Sequence, residues 1–79
     1  MEQYECPFAV GDIVVFMEPS EHDKARRPGW NGTMERLVGS TAAVERIAWD
    51  DECDSYLIRC DNGRWSWKDS WLQNPYSLF

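Results

Sequence analysis

Residues 56–72 read Y-L-I-R-C-D-N-G-R-W-S-W-K-D-S-W-L, and both halves of this segment are typical of β-strands. Between the two halves lies Asp61-Asn62-Gly63. Asn-Gly favours a tight hairpin, because both residues tolerate the positive φ angles of a primed turn. We therefore predict a third strand over residues 56–61 and a fourth over residues 64–68. Strand alternation puts Trp65 and Trp67 on the same face of the fourth strand.

Two further strands are predicted before this hairpin. The β-branched run over residues 13–17 follows Gly11-Asp12 and indicates the first strand, and residues 41–49 indicate the second. In the second strand the apolar alternation slips between Val44 and Ile47, which predicts a β-bulge.

The remaining segments predict loops and short turns. Residues 18–28 are polar and without periodicity, which indicates a long loop. Residues 33–38 fit one helical turn, with Thr33 as N-cap and Gly39 as the left-handed terminator. Residues 50–55 form an acidic tip, residues 69–72 a turn or 3₁₀ segment that closes one end, and residues 74–79 a tail. The fold class expected is a single all-β domain over residues 1–79, with its core at about 8–72, in the form of a small barrel of four or five antiparallel strands.

Four short motifs carry a resemblance to a known family. They are F-x-V-G-D-I-V-V at 8–15, G-W at 29–30, M-x-x-L-x-G at 34–39 and W-x-W-K-D-S-W-L at 65–72. Together they resemble SH3-like repeats of the mind bomb type and small bacterial and phage-encoded SH3-like proteins. The resemblance implies an SH3-like barrel that binds a partner. It does not extend to a ubiquitin-ligase role, because the chain has none of the zinc-binding or catalytic neighbours of those ligases.

Composition limits the class of function. The chain has 79 residues, which is one small domain, and a net charge of −6, which disfavours direct binding to DNA or RNA. No apolar run approaches the length of a membrane span, and the acidic N-terminus is unlike a signal peptide. The three cysteines show no C-x-x-C pair, which predicts reduced thiols and a cytoplasmic location.

No catalytic residue, metal site or cofactor is predicted. His22 would need a nearby thiol and a third group to orient its ring before it could activate a nucleophile. Cys6, Cys53 and Cys60 are not spaced like zinc ligands, and Cys60 fits a small core position. The acidic tip at 50–54 lacks the glycine and spacing of a calcium loop.

The candidate site consists of three tryptophans and nearby acids. If the face of the fourth strand points inward, Trp65 and Trp67 are core residues; if it points outward, they form an aromatic shelf beside Trp30. Such a shelf could stack a proline-rich peptide or hold a cation by cation–π attraction. The predicted partner-binding residues are Trp30, Trp65, Trp67, Asp61, Asp69, Glu21 and Asp23.

These observations predict a non-enzymatic module that binds a protein or peptide partner, expected to carry basic residues, through an aromatic surface with an acidic rim. The alternative is an acidic inhibitor of the phage type that imitates nucleic acid and blocks a host protein. Exposed aromatic residues could equally mark a homodimer surface. Neither nucleic acid nor a membrane is an expected partner.

Overall fold

The computed structural model describes residues 3–78. Its strands are β1 (Ile13–Phe16), β2 (Thr41–Asp50), β3 (Ser55–Cys60), β4 (Trp67–Lys68) and β5 (Leu72–Gln73). They form one antiparallel sheet in the order β4-β3-β2-β1-β5. The prediction of a small all-β domain with four or five antiparallel strands is confirmed.

Strand β2 is the long central strand, and its bulge lets both of its halves face the core. Val44 lies opposite Cys60 and Arg46 lies opposite Arg59, so the register shifts between Val44 and Arg46. The extra residue reverses the alternation: Val44 points inward before it, and Ile47 points inward after it. The bulge predicted from the slipped apolar pattern is confirmed.

Aromatic side chains fill the centre of the core. Trp67 and Trp71 are buried at 0% and 2% exposure. Phe16 of β1 stacks on Trp67 with ring centroids 4.1 Å apart and an angle of 25° between the planes. Because β1 and β4 are not neighbours in the sheet, this stack joins its two halves. Trp71 comes from a 3₁₀ helix at Asp69–Trp71, the turn predicted at that place.

The connection between β1 and β2 contains two short helices. Helix α1 (Glu21–Lys24) occupies a segment predicted as loop, and the Ser20 side chain caps it by accepting from the Asp23 N–H. Helix α2 (Gly32–Leu37) is the predicted helical turn. Its N-cap is Asn31 rather than Thr33, because the Asn31 side chain accepts from the N–H groups of Thr33 and Met34. Gly39 has φ 87°, the left-handed conformation predicted for the terminator.

The prediction of a tight hairpin turn at Asn62-Gly63 is wrong. Neither Asn62 nor Gly63 has a positive φ, and the β3–β4 pairing joins Ile58 to Trp67, so residues 59–66 lie between the paired positions. Pairing with β2 is the physical reason. Cys60 pairs with Val44, and the Asp61 N–H donates to the Ala43 carbonyl at 3.0 Å. The end of β3 is thus held to β2, and the chain needs a wider connection to reach β4.

The C-terminal part adds β5, which pairs with β1, and a 3₁₀ helix at Pro75–Leu78 within the predicted tail. Phe79, the last residue of that tail, and the first two residues of the predicted domain, Met1 and Glu2, lie outside the described residues. None of the helices in the described part of the chain is long and apolar enough to cross a membrane.

Candidate partner-binding surface

A pocket of about 510 Å³ opens between the α1–α2 connection and the β3–β4 connection. Its lining includes Trp30 and Trp65 from the two connections and Leu57 of β3. We call it the tryptophan pocket. Its volume lies within the range of protein sites that hold a ligand or a side chain of a partner. The lining residues are Arg27, Pro28, Gly29, Trp30, Asn31, Met34, Leu57, Trp65 and Ser66.

Trp30 is fixed in this pocket by the core behind it. Its ring meets Trp67 and Trp71 edge to face, with centroid distances of 5.6 and 5.5 Å. Its indole N–H donates to Glu35 Oε2 at 2.6 Å. Since both the ring and the N–H have partners, the half-buried Trp30 presents a preorganised aromatic surface.

The cation expected beside Trp30 is supplied by the chain itself. Lys24 Nζ lies 5.6 Å from the Trp30 ring centroid and 3.2, 3.3 and 3.5 Å from the carboxylates of Glu18, Glu21 and Glu35. Desolvation acts to lower the pKa of Lys24, but the hydrogen bonds to Glu18 and Glu21 outweigh it and raise that pKa. Glu21, a predicted rim residue, is therefore engaged by Lys24 within the chain.

Trp65 and Trp67 differ in burial, although they are only two residues apart. Trp67 is fully buried in the core, so its prediction as part of an exposed shelf is corrected: it cannot contact a partner directly. Trp65 is half-buried and lines the tryptophan pocket. Trp65 lies in the connection before β4 and not in the strand itself. The alternation of side chains along a strand therefore does not apply to it, and Trp65 need not share a face with Trp67.

Asp69 is also corrected as a rim residue, because it is buried at 6% exposure and accepts a hydrogen bond from the Tyr4 hydroxyl. Burial and the contact with Asp69 raise the pKa of Tyr4. Asp61 is exposed, but its Oδ1 accepts from the Ala43 N–H at 3.2 Å at the end of β3. Asp23 lies in α1. Neither Asp61 nor Asp23 is among the residues that line the tryptophan pocket.

His22 has Arg26 as its neighbour, and the three cysteines are free thiols. His22 is exposed and its Nε2 lies 3.3 Å from Arg26. Cys60 is buried in the core, where desolvation raises its pKa to about 11. Within residues 3–78, no three His, Cys, Asp or Glu side chains are grouped so that they could hold a metal ion.

Sequence reasoning missed a set of basic side chains on the outer face of the sheet. Arg46 of β2 lies directly opposite Arg59 of β3, and Lys68 of β4 lies opposite Leu57. Both arginines line a depression of about 220 Å³, which shares Leu57 and Ser66 with the tryptophan pocket. The signal was the bulge itself, since a shift of one residue after Val44 brings Arg46 into register with Arg59.

Arg27, at the edge of the tryptophan pocket, faces the acidic tip. Its guanidinium lies 2.9 Å from Asp50 Oδ2 and 3.3 Å from Glu52 Oε2. The hydrogen bond from Arg27 lowers the pKa of Asp50. Part of the acidic tip is thus neutralised within the molecule, and Arg27 forms a boundary between the pocket and the tip.

Comparison of the chain with protein-family models, curated proteins and solved structures gives no match. The function of this surface therefore has to follow from its geometry and charge.

Proposed function

We propose that this chain is a non-enzymatic binding module, built as an SH3-like barrel, that holds a protein segment in the tryptophan pocket. The observation that carries the proposal is the pair Trp30 and Trp65, which are half-buried and line the same pocket. Rigid aromatic side chains at a concave surface give a large contact area at a low cost in conformational entropy, and they dominate the energetics of many interfaces.

Two features support the barrel assignment. The strand order β4-β3-β2-β1-β5 puts the central strand β2 between β1 and β3, and a 3₁₀ helix separates the last two strands. The resemblance itself rests on four sequence motifs, and the bulged central strand together with the 3₁₀ turn before the last strand is compatible with the small barrel that those motifs imply.

A selection from a random displayed peptide library tests the proposal. The wild type, Trp65→Ala and Tyr76→Ala are used as baits, because Tyr76 is an exposed aromatic residue that does not line the pocket. We expect a peptide pool that binds the wild type and Tyr76→Ala and loses at least tenfold in affinity for Trp65→Ala. Circular dichroism confirms that both variants fold. A pool that binds all three proteins equally would rule out the pocket as the binding site.

The expected preference for a basic segment rested on acids beside the aromatic residues. Because Glu21 pairs with Lys24 and Asp69 accepts from Tyr4, those two acids already have partners within the chain. The preference for a basic partner stays a prediction, and the geometry of the pocket does not support it.

The acidic-inhibitor and homodimer hypotheses also stay predictions. An inhibitor that imitates nucleic acid would release its partner at moderate salt and would not need Trp65. A homodimer through the pocket would appear in sedimentation experiments and would be lost in Trp65→Ala. The same set of variants thus separates these hypotheses from the binding module.

A further inference from the structure

The arginine pair on the outer face of the sheet carries an unbalanced charge. Arg46 and Arg59 are directly opposite each other in the β2–β3 pairing, and both are exposed. Like charges at directly opposed positions destabilise a sheet. Neither arginine forms an ion pair with any residue of the described part of the chain.

This lack of pairing differs from the state of Lys24, which lies over Trp30, and of Arg27, which lines the pocket. Lys24 contacts three carboxylates and Arg27 contacts two. The chain carries 14 acids against eight lysines and arginines, so acids are in excess. Arg46, Arg59 and Lys68 nevertheless share the outer face of β2, β3 and β4 with no carboxylate bound to them within residues 3–78.

The basic face and the tryptophan pocket are continuous. Leu57 and Ser66 line both the pocket and the depression beside the arginines. An extended segment with an apolar or aromatic side chain in the pocket would thus place its neighbouring residues over Arg46 and Arg59. Guanidinium groups bind carboxylates in a two-pronged geometry, which gives direction as well as affinity.

Charge complementarity with Arg46 and Arg59 favours an acidic partner. We propose that the module binds an acidic protein segment, in which an aromatic or apolar side chain enters the tryptophan pocket and adjacent Asp or Glu residues pair with Arg46 and Arg59. This inference rests on the proposed function and adds the chemistry of the partner. Lys68, one strand further along the same face, extends the basic surface.

An acidic protein segment fits this surface better than a nucleic acid. Proteins that bind nucleic acid neutralise many phosphates with clustered lysines and arginines, and the affinity depends on the number of contacts. Here two arginines and one lysine stand on a chain with a net charge of −6. A long polyanion would meet the surrounding acids, whereas a short segment can contact the basic face alone.

The peptide-library selection is extended to test the charge. The baits are the wild type, the double variant Arg46→Gln/Arg59→Gln, and Arg36→Gln, which removes an exposed arginine from α2. We expect Asp and Glu next to an aromatic or apolar residue to be enriched at least tenfold with the wild type and with Arg36→Gln. The double variant should keep the aromatic enrichment and lose the acidic one.

The outcomes test the acidic partner and the proposed binding function separately. A pool that needs Trp65 but is neutral or basic overturns the acidic segment and leaves the binding module standing. A pool that does not need Trp65, or no enrichment with any bait, overturns both. A twelve-nucleotide oligouridine and the unlabelled peptide are compared as competitors of the bound peptide. If the oligouridine displaces the bound peptide at the lower concentration, the surface prefers phosphate and the inference is overturned.

Discussion

Trp65 and Trp67 are two positions apart, yet Trp67 packs in the core and Trp65 lines the tryptophan pocket. Trp67 stacks on Phe16 and supports Trp30 from behind, so it stabilises the wall of the pocket without reaching it. Trp65 lies in the connection before β4 and lines the pocket. At the scale of single residues, the core and the candidate site are thus in contact through Trp30.

We expect substitutions at these two tryptophans to separate stability from binding. Trp67→Ala removes a fully buried ring and should lower the free energy of unfolding by about 3–5 kcal/mol. Trp65→Ala removes a half-buried ring and should cost on the order of 1 kcal/mol. Urea denaturation measures both. If Trp67→Ala does not fold, Trp67→Phe keeps a stacking ring and should still lose more stability than Trp65→Ala; the reverse order would contradict the assignment of Trp67 to the core.

Cys60 is expected to make the fold sensitive to alkaline pH. Burial raises the pKa of its thiol from 9.0 to about 11 in the folded protein, so the folded state favours the protonated form. Below pH 9 the thiol is protonated in both the folded and the unfolded state, and stability does not depend on it. As the pH rises through 9 towards 11, the unfolded state loses the proton first, and the stability of the fold decreases.

Thermal unfolding from pH 8 to 10 measures this loss. The wild type should lose stability over that interval, whereas Cys60→Ala, although less stable at pH 8, should lose much less of it. The pKa values of Tyr4 and Lys24 are raised from 10.0 and 10.5, so most of their effect on stability lies above pH 10. The difference between the wild type and Cys60→Ala gives the part of the loss that belongs to the thiol. Parallel pH profiles of the two proteins would show that the thiol of Cys60 is not the titrating group.

At the scale of elements, the bulge in β2 links the fold to the candidate site. It turns Ile47 towards the core and, by the same shift, sets Arg46 opposite Arg59. A sheet optimised for stability alone would place an acid opposite one of the arginines, because opposite charges across strands are favourable. Sheet stability therefore does not account for the arginine pair, whereas the proposed acidic partner would.

Arg59→Gln should accordingly stabilise the free protein. Removal of one of two opposed positive charges is expected to raise the free energy of unfolding by about 0.2–1 kcal/mol. Arg36→Gln is the control, since Arg36 lies in the last turn of α2, where a positive charge is favourable, and its loss should bring no gain. Guanidinium chloride would screen these charges, so urea is the denaturant to use. A loss of stability in Arg59→Gln would show that Arg59 has a structural partner.

Much of the element order was visible in the sequence, and the errors have a common cause. The slipped alternation at Val44–Ile47 and the short turn at 69–72 are local patterns, and both predictions are confirmed. The Asn62-Gly63 turn failed because pairing of β3 with β2 decided where the hairpin could close. Contacts between distant segments override local turn preference wherever they fix the ends of a strand.

The candidate site was harder to predict for the same reason. Trp30 was predicted in a turn and Trp65 on the fourth strand, as parts of one aromatic surface, and both line one pocket in the structure. The lysine over Trp30 and the tyrosine on Asp69 come from separate segments of the chain, and no spacing in the sequence indicates either contact. The charge beside the pocket depends on such contacts, and proximity in the sequence therefore did not show that Asp69 is buried and bound to Tyr4.

At the scale of the whole molecule, an acidic protein with a local basic face should respond to salt in an unusual way. The molecule measures 32 × 26 × 24 Å, and at about 0.01 M salt the screening length is about 30 Å, so an approaching acidic peptide meets the full net charge of −6. At about 0.15 M the screening length is about 8 Å, and the nearby arginines dominate the field that the peptide meets.

The association rate of the selected acidic peptide should therefore rise between these salt concentrations, although attraction between opposite charges alone would make it fall. Stopped-flow measurement with a fluorescent label on the peptide gives the rate. In the control, Arg46→Gln/Arg59→Gln, the rise should remain and the final rate should be lower. A steady fall in the wild type would mean that the peptide is guided by the basic face even at low salt, and that the net charge of the chain does not govern its approach.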